Sequence, residues 1–455
     1  MTVDGQPDAI ARGCRPTTYD IINVRIVDGT GAAPFAGTVR VEGSRIAAVT
    51  PAGPPPAGGA ATVIDGAGRT LMPGLVESHA HIGLADIASY DLTRLPPEEH
   101  MLLTVRNART MLDCGYTSAF SAAAPKPRLD VVLKREIEAG RVPGPRLLAN
   151  GSEITVTGGL GDSNLLHLPP YDTPTFAWVA DGPDAVRRVC RLLVREGVDL
   201  LKLNLSGDLG TSSFASEATP MTDGEVAAAM EVARAAGLRV AAHCRSAESV
   251  MLALRHGIEV IYHANYADER ALDALEAARD RIFVGPALGL TYNLSQAAGQ
   301  WGITRERARA FEQELEVSIQ AVARMRKRGI RVLPGGDYGF AATPHGTYAR
   351  DLWLFVELLG FSPMEAIVAA TRLGGELMGL PGQLGVVMPG ALADLLLVEG
   401  DPLADIAILQ DRRALRRIMK DGVLHRAPDE GAASGDSVSR AESSTRLPPR
   451  APSPR

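Results

Sequence analysis

Apolar residues recur along this chain in two alternating rhythms. Short runs rich in Val, Ile and Leu, bounded by Gly, Pro or Asp, give way to longer segments whose apolar residues fall at helical spacing. The first pattern predicts buried strands and the second amphipathic helices. Between residues 71 and 383 strands are predicted at 75–78, 117–120, 146–150, 200–203, 239–242, 260–262, 281–284 and 331–333. Helices are predicted between them at 100–114, 183–196, 222–236, 267–278 and 304–328, with Thr222 and Glu225 spaced as a capping box. Eight strands alternating with helices is the count that a closed (β/α)8 TIM barrel needs, so the expected fold class is α/β. Outside this stretch the period changes to that of short strands and Gly/Asp turns, at 19–27, 37–41, 45–49 and 61–64, and again at 394–398 and 415–419. Segments 18–70 and 384–425 are therefore expected to pair into one small composite β-sandwich beside the barrel. Residues 1–17 and 426–455 are polar and aperiodic, and are expected to be disordered.

Composition narrows the partners. Hydrophobic residues make up 45% and charged residues 22% of the 455, the balance of an ordinary globular protein. The formal charge of −6 comes without a basic stripe, so nucleic acid is not an expected partner. No apolar run reaches membrane-spanning length and the first residues lack the apolar core of a secretion signal, which predicts a cytoplasmic protein that does not engage membranes. Cys14, Cys114, Cys190 and Cys244 are widely spaced and form no CxxC pair, consistent with reduced packing thiols.

Chemistry enters where the predicted strands end. His79 and His81 stand two apart at the end of the first, so both imidazoles project to one side and could share a cation. Lys202 ends the fourth strand, His243 the fifth and His263 the sixth, and Asp337 follows the eighth. Strand ends of a barrel converge on one mouth, which would make these six neighbours. Each has a bland alternative. The histidines could be hydrogen-bonded core residues, Lys202 a snorkelling edge residue and Asp337 a turn aspartate. Against that, a lysine inside the apolar strand 198–204 is costly unless paired or modified, and Gly335 and Gly336 would let the backbone bring Asp337 close to an ion.

The motifs Met72-Pro-Gly-Leu-Val-Glu-Ser-His-Ala-His81, Lys202 in its strand, Ala241-Ala-His243, Ile261-Tyr-His263, Gly335-Gly-Asp337 and Pro389-Gly-Ala-Leu-Ala-Asp-Leu-Leu-Leu-Val398 occur in that order. Together they resemble the amidohydrolase superfamily, in its imidazolonepropionase-like or prolidase-like branch, over nearly all of residues 19–425. The resemblance implies that His79, His81 and Asp337 bind one divalent ion and His243 with His263 a second. Lys202, carboxylated on its amine, would bridge the two. Zinc leads, with cobalt or manganese as alternatives. It further implies a binuclear hydrolase acting on amide, urea, carbamate or lactam C–N bonds rather than ordinary protein peptide bonds. The nucleophile would be metal-activated hydroxide, and Asp337, with His263 at the same centre, the catalytic residues. A homo-oligomer is expected by the same analogy.

The chain departs from that pattern around the substrate. It carries Tyr262-His263-Ala264-Asn265-Tyr266 where many relatives have Glu before the histidine and Gly after it. The loop Thr157-Gly-Gly-Leu-Gly-Asp162 has Leu160 where many carry His. Tyr292, His345, Tyr266 and His167 are the candidate substrate contacts, because they sit on loops that follow strands. Arg245, just past His243, could read a substrate carboxylate or lie exposed. The alternatives to a general small-molecule amidohydrolase are an Xaa-Pro dipeptidase or N-acyl amino acid hydrolase of the same fold, and a non-catalytic scaffold.

Overall fold

A computed structural model of the chain describes residues 18–53, 61–87, 89–92, 94–164, 167 and 176–425. The disorder expected for 1–17 and 426–455, and Cys14, fall outside them. The N-terminal part forms β1 (Thr18–Ile26), β2 (Phe35–Glu42), β3 (Arg45–Pro51), β4 (Thr62–Asp65) and β5 (Thr70–Pro73). The middle contributes β6 (Leu75–Ala80), β7 (Tyr116–Ser121), β8 (Arg146–Leu148), β9 (Glu153–Thr155), β10 (Ala177–Val179), β11 (Leu200–Asn204), β12 (Arg239–Ser246), β13 (Val260–Tyr266) and β14 (Phe283–Gly285). The C-terminal part adds β15 (Leu395–Val398), β16 (Leu415–Lys420) and β17 (Val423–His425).

The two outer parts share one mixed sheet in the order β17-β16-β15-β5-β1-β2-β3, with β4 also on β1. The weld is β5, which runs parallel to β1 on one edge and antiparallel to β15 on the other, Leu71 opposite Leu397. The β unit expected as a sandwich is therefore hydrogen-bonded as one continuous sheet, edge to edge. Alternate residues of both parts, among them Ile21, Val39, Leu71, Leu395, Leu397 and Met419, bury in a common apolar core. Asp20 and Arg40 are cross-strand partners on β1 and β2, and form a buried bidentate pair with both contacts at 2.8 Å.

All strand pairs of the middle part are parallel. They form a sheet β6-β7-β8 and a sheet β10-β9-β11-β12-β13-β14. Helices between them include Pro97–Asp113, Pro183–Glu196, Asp223–Ala236, Glu269–Ala277 and Arg305–Lys327, close to the predicted spans. Thr222 and Glu225 make the reciprocal capping box that their spacing predicts. Two strands differ from the pattern. The run 146–150 is cut short at β8, and the sheet resumes on β9, which pairs with β11 through Ile154 opposite Leu203. The segment 331–333 makes only a single bridge, Val332 to Val284, because Pro334 cannot donate a ladder bond and two glycines follow.

Side chains tie the two parallel sheets together. Tyr262 on β13 donates its hydroxyl to Ser78 O on β6 at 2.8 Å, and the Ser78 hydroxyl donates to Pro334 O at 2.8 Å. Cys114, Cys190 and Cys244 are buried free thiols. No described helix is long and apolar enough to cross a membrane.

Candidate active site

On β6 the side chains of residues two apart share a face, so His79 and His81 project together at the strand's C-terminal end. His79 stacks on Tyr262 with ring centroids 3.7 Å apart. His81 places Nδ1 3.0 Å from Ala123 O, and burial lowers its pKa to about 4, so the ring is neutral and Nδ1–H is the donor. Its Nε2 is then bare, yet it lies 3.2 Å from Asp337 Oδ1, and His79 Nε2 lies 3.9 Å from the same oxygen. A lone pair set against a carboxylate oxygen is repulsive unless a proton or a metal cation lies between them.

The neighbouring strands complete the set. His243 on β12 donates Nε2–H to Gly207 O at 3.2 Å, leaving Nδ1 bare, and its ring is 4.3 Å from that of His263 on β13. The Nδ1 atoms of both His79 and His263 are buried without a hydrogen-bond partner among the described residues. His263 (φ +74°) and Ala264 (φ +54°) both adopt the left-handed conformation, and the register of β13 against β12 shifts just beyond them. This bulge re-aims the end of β13 at a local backbone cost.

Asp337 is delivered by a loop that only glycine permits. A Cβ on Gly335 would sit 2.4 Å from Ser78 Oγ and 2.8 Å from His79 N, and one on Gly336 2.1 Å from the Tyr338 ring. Asp337 itself has φ +59°. Asp351 grips the loop from below, accepting Gly335 N–H at 3.0 Å and the Tyr338 hydroxyl at 3.2 Å. Burial pushes the Asp337 carboxyl up to about 6, opposed by the charges of Lys202 and Arg245. Gly335→Ala is thus expected to displace the loop, costing about 1–3 kcal/mol of stability and most divalent-metal affinity. Denaturant unfolding and metal titration measure the two effects, and an unchanged titration would mean that the loop's close approach is dispensable.

Lys202 on β11 is 1% exposed. Its amine makes no hydrogen bond among the described residues, and the nearest carboxylate oxygen, Glu153 Oε2, is 3.6 Å away. All six candidate ligands line one cavity of about 250 Å³. The tightest donor trio is His79, His263 and Asp337, whose ligand atoms lie within 4.8 Å of one another. That trio cuts across the expected division into two ion sites, because the strand ends converge on one point. An orphaned set of imidazole nitrogens around a carboxylate suits a divalent transition metal.

The four expected substrate contacts lie elsewhere. None of Tyr292, His345, Tyr266 and His167 lines the cavity. His345 is committed to the fold, with Nδ1 2.6 Å from the Tyr348 hydroxyl and Nε2 2.7 Å from Leu84 O. Tyr292 packs edge-on to Trp353 in a neighbouring groove. Tyr266 is half-buried at the end of β13, and His167 is exposed in a turn. Strand–loop order locates such residues along the chain but not the direction in which they point.

Other residues take the cavity wall. Arg245 lines it and is buried rather than exposed, ion-paired with Glu314 of the helix Arg305–Lys327. Glu314 also accepts from Asn265 Nδ2 at 2.6 Å and from Ser216 Oγ at 3.2 Å. Arg307, on the same helix, donates Nε–H to Leu209 O at 2.9 Å and also lines the cavity. Phe176, Trp301, Phe311 and Phe340 give the mouth an aromatic wall. Sequence reasoning missed Glu153, Arg307 and this wall. Glu153 lies on a strand that reads as loop, Arg307 and Phe311 belong to a long helix, with Trp301 on its approach, that periodicity assigns to an outer layer, and Phe176 and Phe340 lie in loops before β10 and after Asp337.

Comparison with known proteins fits this geometry. The chain is 26% identical to the ochratoxinase of Aspergillus niger over 378 residues, covering 79% of this chain and 76% of that one. It is 24% identical to the imidazolonepropionase of Ralstonia nicotianae over 410 residues, covering 85% and 92%. The crystal structure of a prolidase complexed with N-methylphosphonate-L-proline superposes with a TM-score of 0.82 at 25% identity, over 90% of this chain and 100% of that one. The description of the amidohydrolase family matches residues 70–424, and the chain belongs to that family.

Proposed function

We propose that the chain is a metal-dependent hydrolase that cleaves a C–N bond of a small molecule, in an amide, urea, carbamate or lactam. The observation that carries this reading is the bare His81 Nε2 set 3.2 Å from Asp337 Oδ1, with His79 Nε2 at 3.9 Å from the same atom. We read the two parallel sheets as arcs of one (β/α)8 barrel, a reading supported by the Tyr262–Ser78–Pro334 bonds between them. In it His79, His81 and Asp337 would hold one divalent ion and His243 with His263 a second, zinc before cobalt or manganese. Carboxylated Lys202 would join them. Carboxylation turns a buried amine without hydrogen bonds among the described residues into an anion with two donor oxygens.

When bound, such ions would activate a water for attack and polarise the substrate carbonyl. Asp337 takes the proton of the attacking water and returns it to the leaving nitrogen, the general acid–base work of a carboxylate held at the cavity. Phe176, Trp301 and Phe340 hold an apolar group of the substrate and keep bulk water out. The test is metal analysis of protein grown with ample divalent metal, with hydrolysis assays on dipeptides, N-acyl amino acids, aryl ureas, carbamates and lactams. Bound metal and turnover of at least one class are expected, both falling in Lys202→Ala. Protein that carries no divalent metal would instead be a scaffold.

A narrower reading, an Xaa-Pro dipeptidase or N-acyl amino acid hydrolase, is favoured by the guanidinium groups of Arg245 and Arg307 on the cavity wall, which suit a substrate carboxylate. Comparing each such substrate with its C-terminal amide separates this from the general reading. Amides turned over equally well would remove it.

A further inference from the structure

Lys202 and Glu153 are side-by-side neighbours on parallel strands. Leu203 of β11 is opposite Ile154 of β9, so the residues one step earlier share the cavity-facing side of the sheet. Both are buried, at 1% and 3% exposure. Lys202 is the only ion-pair partner of Glu153 among the described residues, and the 3.6 Å separation exceeds the roughly 2.7–2.9 Å of a charge-assisted hydrogen bond. The Asn204 side chain reaches the carboxylate, while Glu153 Oε1 has no hydrogen-bond partner among the described residues. The backbone of the following loop closes in behind it, since a Cβ on Gly161 would sit 2.9 Å from that atom. The carboxylate is thus held beside the lysine amine without being engaged by it.

Carboxylation changes what that amine offers. A C–N bond forms between the neutral amine and carbon dioxide, one proton leaves to solvent, and the product carries one remaining N–H beside a new carboxylate. That N–H is buried and needs an acceptor. We infer that Glu153 is this acceptor, a positioning residue that fixes the orientation of carboxylated Lys202 and so of the two oxygens it presents to the cavity. The inference rests on the reading of Lys202 given above.

Protein equilibrated with [13C]bicarbonate, read by 13C NMR for the carbamate carbon and by elemental analysis for bound metal, tests it without any substrate. Glu153→Gln keeps an acceptor oxygen at the same reach and loses the charge, whereas Glu153→Asp keeps the charge and withdraws the oxygen by one methylene. Gln is expected to retain the label and the metal, and Asp to lose about ten-fold in carbamate occupancy, as a buried donor left unpaired requires. The reverse result, label kept in Asp and lost in Gln, would mean that the negative charge at this position and not the reach of an acceptor oxygen supports the carbamate, and would overturn the inference. Full label in both variants and in Glu153→Leu would do the same while leaving the carboxylated lysine in place. Absence of label from the unmodified protein would overturn both.

Discussion

Asp337→Asn is expected to lower kcat by roughly a hundred- to ten-thousand-fold, the usual worth of a positioned proton carrier, and to leave the fold standing. The amide has the shape of the carboxylate but can neither take a proton from water nor return one to the leaving nitrogen. Asn is also one of the few residues that accept a left-handed backbone, so φ +59° at this position adds no new strain. Asp337→Ala lacks that tolerance, which would mix a conformational penalty with the chemical one. With Asn, part of the metal is retained, because the histidine nitrogens around the cavity are untouched. Steady-state kinetics on a turned-over substrate, beside metal analysis and a melting curve, check all of this. Near-normal kcat in a metal-loaded Asn variant would take the proton transfer away from Asp337.

Glu314→Leu is expected to destabilise the protein by about 3–5 kcal/mol, because it strands a buried guanidinium. Arg245 and Glu314 are each 1% exposed, so neither charge can fall back on water. Asn265 and Ser216 lose their acceptor in the same step. The double variant Arg245→Met with Glu314→Leu should recover a large share of the loss, since it removes both charges together. Urea unfolding of the two single variants and the double variant measures the coupling. A Glu314→Leu penalty below about 1 kcal/mol, the level of an exposed pair, would show the contact to be incidental. Metal affinity should fall with stability, because Arg245 and Asn265 each follow a candidate ligand, His243 and His263, by two residues.

The candidate histidines were legible because they stand at the ends of apolar runs, which periodicity marks best, whereas Lys202 stood out as a lysine within such a run and Asp337 as a carboxylate carried past its strand by two glycines. The helices were legible for a similar reason: Thr222 and Thr304 announce their starts, and the structure uses both as caps. The substrate wall was not legible. Whether Tyr292 or Trp301 faces the cavity depends on how the loop and helix after β14 fold back, and no local period records that. His345 shows the same limit from the other side, a histidine at a loop position whose two nitrogens are spent on Tyr348 and Leu84. Glu153 escaped because Ala149 to Ser152 interrupts its strand, leaving a stub too short to register as apolar alternation.

The weld between β5 and β15 also bears on how the protein is made. During synthesis β5 and everything that leans on it emerge early, but their partner edge at 395–398 leaves the ribosome only after the whole parallel strand–helix stretch. Until then the backbone donors and acceptors on that side of Thr70–Pro73 are an open edge, able to pair with any extended segment nearby. The N-terminal β strands therefore wait, half satisfied, for the last part of the chain to close them. A nascent chain stopped before Leu395 carries all six candidate ligands and still exposes an adhesive strand next to the first of them.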